Sequence, residues 1–405
     1  MSSPAAKPPF VAIACGGTGG HLFPGLAVAG QLKQRGCDVA LLISPKDVDQ
    51  QAVKSACGME IFTLPAVALQ NRNCFSFVRS FWNSFRTAQV FFKQHRPDAV
   101  LAMGGFTSAP PVLAAGKFGA KTFLHESNII PGRASRFLAR FVDEAFVGFP
   151  EAAARLRAKK VSVTGTPVRP QFRRGDASDE PAREGARPAK ISECRIALGL
   201  DPNRPVALVM GGSQGASGLN DMILSALPLL AGKNWQWLHL TGANDFEMVK
   251  SAYVARSLKA VVKPFLAEMD MALGAATVSV SRAGASSLAE IAAMRLPALL
   301  IPYPAAADNH QLFNARAFEK TGAAKLLEQK NSTPEKVAVL LRGLIEDLTA
   351  RERIQTALAR WHSPRAAEQI AGIIFEAVAQ PEKVAQSKVK KCGCGHAPGP
   401  AKHAH

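Results

Sequence analysis

Residues 10–24 read FVAIACGGTGGHLFP: an unbroken apolar run, a run of four glycines around one threonine, a histidine, and then a proline at which a helix can begin. Phe10 to Cys15 has the length and composition of a strand buried on both faces. Small residues directly after such a strand let backbone N–H groups approach an anion, and the following helix N-terminus adds positive potential. Gly16-Gly17-Thr18-Gly19-Gly20, with His21 behind it and a helix starting near Pro24, therefore reads as a phosphate cradle, the alternative being a flexible strand-to-helix turn. It is not a dinucleotide fingerprint. With Gly17 and Gly19 as the first glycines of G-x-G-x-x-G, the third position is Leu22, and no G-x-x-x-x-G-K-[ST] occurs.

Outward from this stretch, apolar runs alternate with longer amphipathic ones, the pattern of a parallel sheet flanked by helices. Strands are expected at 10–15, 38–43, 61–64, 99–103, 121–125, 144–148 and 161–164. The segment from Arg169 to Arg195 is rich in Pro, Gly and charge and reads as a linker. A second series follows, at 206–210, 237–240, 260–262, 278–281, 298–301 and 324–327, and three helical segments close the chain (334–347, 349–361, 364–378). The fold class is α/β: two Rossmann-like, doubly wound domains facing an interdomain cleft, where ligands bind beyond the carboxyl ends of the strands.

The composition is that of a soluble globular protein: 405 residues, 47% hydrophobic, 20% charged, mean hydropathy +0.04. No run of 18 apolar residues and no secretory leader is expected, and seven scattered cysteines suit a reducing cytoplasm. The net charge of +18 is concentrated in residues 1–170 and in the tail. It is compatible with nucleic acid, anionic lipid or phosphorylated small molecules.

Further glycine loops follow other strands. Gly104-Gly105-Phe106-Thr107-Ser108 lies in the same half as the first loop, and the pair suggests a diphosphate. Gly211-Gly212-Ser213-Gln214-Gly215-Ala216 serves the second half. There, Ser281 to Glu290 combines a glycine turn, helix-start hydroxyls and an acid one turn in, and is followed by Asp308-Asn309-His310-Gln311 and Asn314. Glu290 is placed either as a ribose-hydroxyl acceptor or as a solvated helix carboxylate. Asp47-Val48-Asp49 has the D-x-D form of metal-dependent glycosyltransferases but falls where carboxylates suit a helix start, and no metal is assigned to it. Cys392, Cys394, His396, His403 and His405 could ligate zinc in the tail, though their surroundings offer little support for a designed site.

The strings GGTGGHLFPGLAVA, MGGFTSAPPVLAA, HESNIIPGRASRFLAR, TGTPVR, MGGSQGASGLN and SRAGASSLAEIAAMRLPALLIPYPAAADNHQLFNA, in this order over residues 10–378, resemble the successive motifs of the MurG family. These are bacterial transferases that move N-acetylglucosamine (GlcNAc) from UDP-GlcNAc to undecaprenyl-pyrophosphoryl-MurNAc-pentapeptide in peptidoglycan synthesis. The resemblance implies a GT-B fold with an acceptor and membrane domain at 1–170, a linker at 171–195, a donor domain at 196–363, a helix at 364–380 crossing back, and a disordered basic tail at 381–405.

It further implies site residues. Thr18, Gly19, Gly20, Asn128, Arg169, Ser213, Leu266, Ala285, Ser286, Ser287, Leu288, Ala289, Glu290 and Gln311 would meet the donor. Gly16, Gly17, Gly104, Gly105 and Phe106 would meet the acceptor. His21 would be general base or diphosphate ligand, with Glu126 in reserve as base. The implied reaction is an inverting displacement in which UDP-GlcNAc is a substrate and neither cofactor nor metal is required. Thr166, Phe106 and Ser127 depart from the residues usual in the family (Asn, Tyr and Gln).

Two other readings stand beside this one. A UDP-sugar transferase acting on diacylglycerol would not need paired diphosphate loops. A nucleotide- or nucleic-acid-binding protein without catalysis would leave the motif order unexplained, so no nucleic-acid partner is expected. For a polyprenyl acceptor the enzyme must reach the cytoplasmic face of the inner membrane as a peripheral protein. Phe75, Val78, Phe81, Trp82 and Phe85, at three- and four-residue steps beside Arg72, Arg79, Arg86 and Lys93, form the expected contact with anionic lipid.

Overall fold

The computed structural model describes residues 7–17, 19–45, 58–65, 74–172, 190–212 and 215–379. Its first sheet has seven parallel strands: β1 Phe10–Ala14, β2 Asp38–Ile43, β3 Glu60–Thr63, β4 Ala99–Ala102, β5 Lys121–Glu126, β6 Glu144–Val147 and β7 Val161–Val163. The second has six: β8 Val206–Met210, β9 Gln236–Leu240, β10 Ala260–Lys263, β11 Val278–Ser281, β12 Ala298–Leu300 and β13 Lys325–Leu326. Every strand read from the sequence is present, with ends displaced by at most one residue. The central strands are buried along their length because helices cover both faces, which is why they read as continuous apolar runs.

The spatial orders are β3-β2-β1-β4-β5-β6-β7 and β10-β9-β8-β11-β12-β13. Each order reverses beside its first strand. β1 pairs with both β2 and β4, and β8 with both β9 and β11, so the glycine loops after β1 and β4 lie side by side, as do those after β8 and β11. This is where an open α/β sheet leaves a crevice at its carboxyl edge.

The first helix differs from expectation. It spans Gly19–Gln34 and so begins inside the glycine run, with Pro24 in its interior. Proline has no N–H to give the carbonyl four residues back, here Gly20, which leaves the opening turn without one of its helical bonds. His21 is thereby a first-turn residue rather than a loop residue. Gly16 has no room for a side chain: a Cβ there would lie 2.3 Å from the Ser44 nitrogen, so the loop passes hard against the end of β2.

The chain returns to the first sheet at its end. Helix Ala366–Ala379 packs Ile370, Ala371 and Ile374 into the core made by Val11, Ile13, Leu22, Val28 and Leu32. Arg35 Nη2 donates to the Glu368 carbonyl at 3.3 Å. Just before this helix, Trp361 stacks on Phe318 of the second half (centroids 4.4 Å apart) and leans on Phe149 of the first (5.5 Å).

Candidate active site

His21 sits over the turn that follows β4. A Cβ on Gly104 would lie 2.9 Å from the imidazole Cε1 and 3.1 Å from Nδ1, and one on Gly105 would lie 3.4 Å from Nε2. Both glycines hold positive φ, 103° and 77°, a region L-residues avoid. Thr107 Oγ1 donates to the Gly16 carbonyl at 2.7 Å, tying this turn to the loop after β1. The two expected acceptor loops are thus one structure around the imidazole. Phe106, at its rim and 37% exposed, meets Phe77 edge to face at 5.6 Å.

Across the cleft, helix Gly19–Gln34 abuts helix Ala285–Ala293. Between them lies a cavity of about 300 Å³ lined by Gly19, Gly20 and Phe23 from the first half and by Gly211, Gly212, Pro264, Phe265, Leu266, Arg282, Gly284, Ser286, Ser287, Glu290 and Gln311 from the second. Ser286, Ser287 and Glu290 share one helix face, as their spacing requires. Leu288 does not belong with them: its side chain is in the hydrophobic core. Ala285 and Ala289 do not line the cavity, so the side chains that the helix brings to it are those of Ser286, Ser287 and Glu290. Burial pushes the Glu290 carboxyl up to about 7, against the opposing pull of Arg169.

Arg169 approaches from the end of β7. Its guanidinium lies 4.1 Å from the Phe23 ring centroid and 4.9 Å from that of Phe172. Among the described residues its buried Nε and Nη2 have no hydrogen-bond partner. Burial lowers its pKa, and Glu290 and Asp270 work against that shift. A desolvated cation with unmade hydrogen bonds is costly unless an anion completes it. The segment carrying Arg169 is anchored by His125, whose Nε2 donates to the Gly165 carbonyl at 3.1 Å while its Nδ1 accepts from Ser127 Oγ at 3.3 Å. Burial lowers His125 to about 4, which keeps it neutral in this role.

Glu126 is occupied as a bracket. Its Oε1 accepts from the Asn128 amide nitrogen (2.8 Å) and from Asn128 Nδ2 (3.0 Å), and its Oε2 accepts from Gly132 N–H (3.0 Å). Three donors on one carboxylate make it a holder of the loop after β5 and displace it from the reserve base role. Asn128 in turn accepts from Asn314 Nδ2 at 3.0 Å, across the cleft. Gln311 Oε1 accepts from the backbone nitrogens of Tyr303 (2.9 Å) and Ala283 (3.2 Å).

The amphipathic helix, Cys74–His95, has two faces rather than one. Val78 and Trp82 are 59% and 50% exposed, and Arg86 lies over the Trp82 ring at 5.9 Å. Phe85 is corrected: it is 7% exposed and packs with Ala88, Phe91 and Phe92 in the core, because the 3.6-residue repeat carries it round to the sheet side. Phe81 is half-buried against that core. The side chain of Phe75 lies outside the described residues, as do Thr18, Ser213, Arg72, Asp47 to Asp49, most of the linker and the whole tail from residue 380. Among the described residues, no helix is long and apolar enough to cross a membrane.

Sequence reasoning missed Phe23 and Phe172, the rings that hold Arg169. An aromatic inside the polar stretch RPQFRR was the available signal for the second.

Two parallel-sheet α/β domains facing a cleft at their switch points are the GT-B architecture. Residues 11–147 match the glycosyltransferase family 28 N-terminal domain and residues 206–370 the family 28 C-terminal domain, and the chain belongs to glycosyltransferase family 28. A relative from Anaeromyxobacter sp. (strain Fw109-5) is 36% identical over 373 residues, covering 90% of this chain and 93% of its own. One from Lactiplantibacillus plantarum is 31% identical over 372 residues, covering 89% and 98%. Both are named UDP-N-acetylglucosamine--N-acetylmuramyl-(pentapeptide) pyrophosphoryl-undecaprenol N-acetylglucosamine transferase. The crystal structure of Acinetobacter baumannii MurG superposes with a TM-score of 0.67 at 26% identity, covering 91% of this chain and all of that one.

Proposed function

We propose that the protein transfers GlcNAc from UDP-GlcNAc to the 4-hydroxyl of MurNAc in undecaprenyl-pyrophosphoryl-MurNAc-pentapeptide, the step that completes the lipid-linked disaccharide of peptidoglycan. The observation that carries this reading is that a buried guanidinium with unmade hydrogen bonds, set against the cavity-lining Phe23 of the first half, feels the charge of a carboxylate that lines the same cavity from the second half. Arg169 suits a diphosphate and Glu290 the hydroxyls of a ribose, with Leu266 alongside for the base. Gln311, Asn128 and the first-turn amides of Ala285 to Ser287 complete the donor side.

On the acceptor side, His21 takes the proton of the attacking hydroxyl. The oxygen forms a bond to the anomeric carbon as the bond to the β-phosphate breaks, and UDP leaves with the electron pair. A positioned base contributes roughly 10²- to 10⁴-fold to such a step. Negative charge growing on UDP is met by Arg169 and the N-terminus of helix Ala285–Ala293, both held in place before the reaction. Gly16, Gly17, Gly104 and Gly105 offer amides to the acceptor diphosphate, and Phe106 stands at the entrance.

The acceptor's polyprenyl chain places the enzyme on the cytoplasmic face of the inner membrane. Val78 and Trp82, with Arg79 and Arg86 for anionic headgroups, form the contact, and the edge-to-face pair Phe77 and Phe106 joins it to the acceptor loops. Labelled UDP-GlcNAc and a short-chain lipid-linked MurNAc-pentapeptide, with diacylglycerol as control, test the reading. Label is expected on the MurNAc acceptor alone, and transfer only to diacylglycerol would overturn it.

A further inference from the structure

Asn314 is fully buried on helix His310–Lys320 and bonds to both halves of the molecule. Its Oδ1 accepts from the Ile129 amide at 3.0 Å, and its Nδ2 donates to Asn128 Oδ1 at 3.0 Å and to the Ala283 carbonyl at 3.2 Å. One turn earlier on the same helix, Gln311 accepts from the Ala283 N–H, so both backbone polar groups of Ala283 are held by this helix. Outside this pin, Asp308 meets Arg133 (3.2 Å) and Arg136 (2.7 Å) of the first half.

The direction of every bond in the chain is forced. The Glu126 carboxylate, with backbone N–H groups on both oxygens, must accept, so Asn128 turns Nδ2 towards it and Oδ1 towards Asn314. Asn314 must then offer Nδ2, which leaves Oδ1 for the Ile129 N–H, a group that can only donate. Neither amide can turn over without setting acceptor against acceptor. Beyond these bonds the Asn128 amide has one further N–H and one further lone pair, and the network fixes their orientation.

Resting on the transferase reading above, we infer that Asn314 is a positioning residue for the donor sugar. It holds the Asn128 amide, from the opposite domain, and the Ala283 peptide beside Gln311 in the orientation that reads the GlcNAc hydroxyls. Sugar recognition is thereby tied to the closed arrangement of the two halves, whereas the uridine contacts at Leu266 and Glu290 are independent of it.

Asn314→Asp keeps the shape but faces Asn128 Oδ1 and the Ala283 carbonyl with an acceptor, and Asn128 cannot turn to relieve it. Titration calorimetry with UDP-GlcNAc and with UDP separates the cases. The variant is expected to bind UDP-GlcNAc roughly ten-fold or more weakly and UDP within about two-fold of wild type. In an Asn128→Ala background, where the amide it orients is gone, the same substitution should cost much less. Equal loss for both ligands, unchanged affinity for UDP-GlcNAc, or additive losses in the double variant would overturn the assignment. Should the Asp variant not fold, Asn314→Ala is expected to show the same split with smaller amplitude, and its absence there counts equally against it. A wild-type protein that fails to bind UDP-GlcNAc at all would instead overturn the transferase reading.

Discussion

The imidazole of His21 fills the space that a side chain at Gly104 would need, with Cε1 2.9 Å from the position of a Cβ there. Gly104→Ala is therefore expected to push the ring off the acceptor loop while leaving the donor cavity as it is. kcat should fall about ten-fold or more, towards the roughly 10²-fold loss expected of His21→Ala, with donor KM little changed in both. Steady-state kinetics against each substrate checks this. A raised acceptor KM with normal kcat at saturation would make His21 a diphosphate ligand instead of the base.

Glu290 has its carboxyl held near 7 by burial, above the ordinary carboxylate value. Between pH 4.5 and 7 the folded protein binds more protons at this site than the unfolded chain, so its contribution to stability declines as pH rises through that window. Glu290→Gln should raise Tm relative to wild type at pH 8 and have little effect on it at pH 4.5. It should also raise donor KM and remove the part of the donor affinity that grows as Glu290 ionises near pH 7. Wild-type KM flat from pH 6 to 8 would contradict a ribose role for the ionised carboxylate.

The fold was legible because the central strands of parallel sheets covered on both faces leave continuous apolar runs, and β1, β4 and β8 run almost directly into glycine turns. The same punctuation gave the loops around His21 and Glu290. What sequence could not supply was side-chain direction. Leu288 shares its motif with Ser287 but turns into the core, and Glu126 stands beside Asn128 as its bracket. Phe23 and Phe172 converge on Arg169 only through tertiary packing. Pro24 misled for a local reason, since it reads as a helix start although the helix tolerates it one turn and a half inside.

The helix Cys74–His95 offers a direct contrast. Trp82 is half exposed and Phe85 is buried, three residues apart. Trp82→Ser should reduce sedimentation with anionic vesicles while lowering Tm much less than Phe85→Ala, since the half-exposed ring loses mainly its stack on Phe85 at 5.3 Å. Phe85→Ala removes a core ring and should cost about 3 kcal/mol of stability, seen in denaturant unfolding. Vesicle binding unaffected by Trp82→Ser would exclude this face from membrane contact.

Arg169 lies between two rings, so its charge and its shape make separable contributions. A guanidinium is planar and rigid, its carbon lies 4.1 Å from the Phe23 ring centroid and 4.9 Å from that of Phe172, and its buried Nε and Nη2 have no partner among the described residues. Lysine at this position would keep the charge but not the plane, and its more strongly hydrated ammonium would suffer more from the same burial. Arg169→Lys is expected to lower kcat by about ten-fold or more, because stabilisation of the departing diphosphate is greatest in the transition state, and to raise donor KM as well. Phe172→Leu keeps apolar volume and the arginine but removes one face of the stack. Its expected effect is a donor KM raised a few-fold with kcat largely retained, since the cation can still reach the phosphate but is less firmly aimed. Measuring both variants with saturating acceptor distinguishes charge from aim. A lysine enzyme with wild-type kcat and KM would show that Arg169 does not touch the diphosphate, and its unmade hydrogen bonds would then need another ligand.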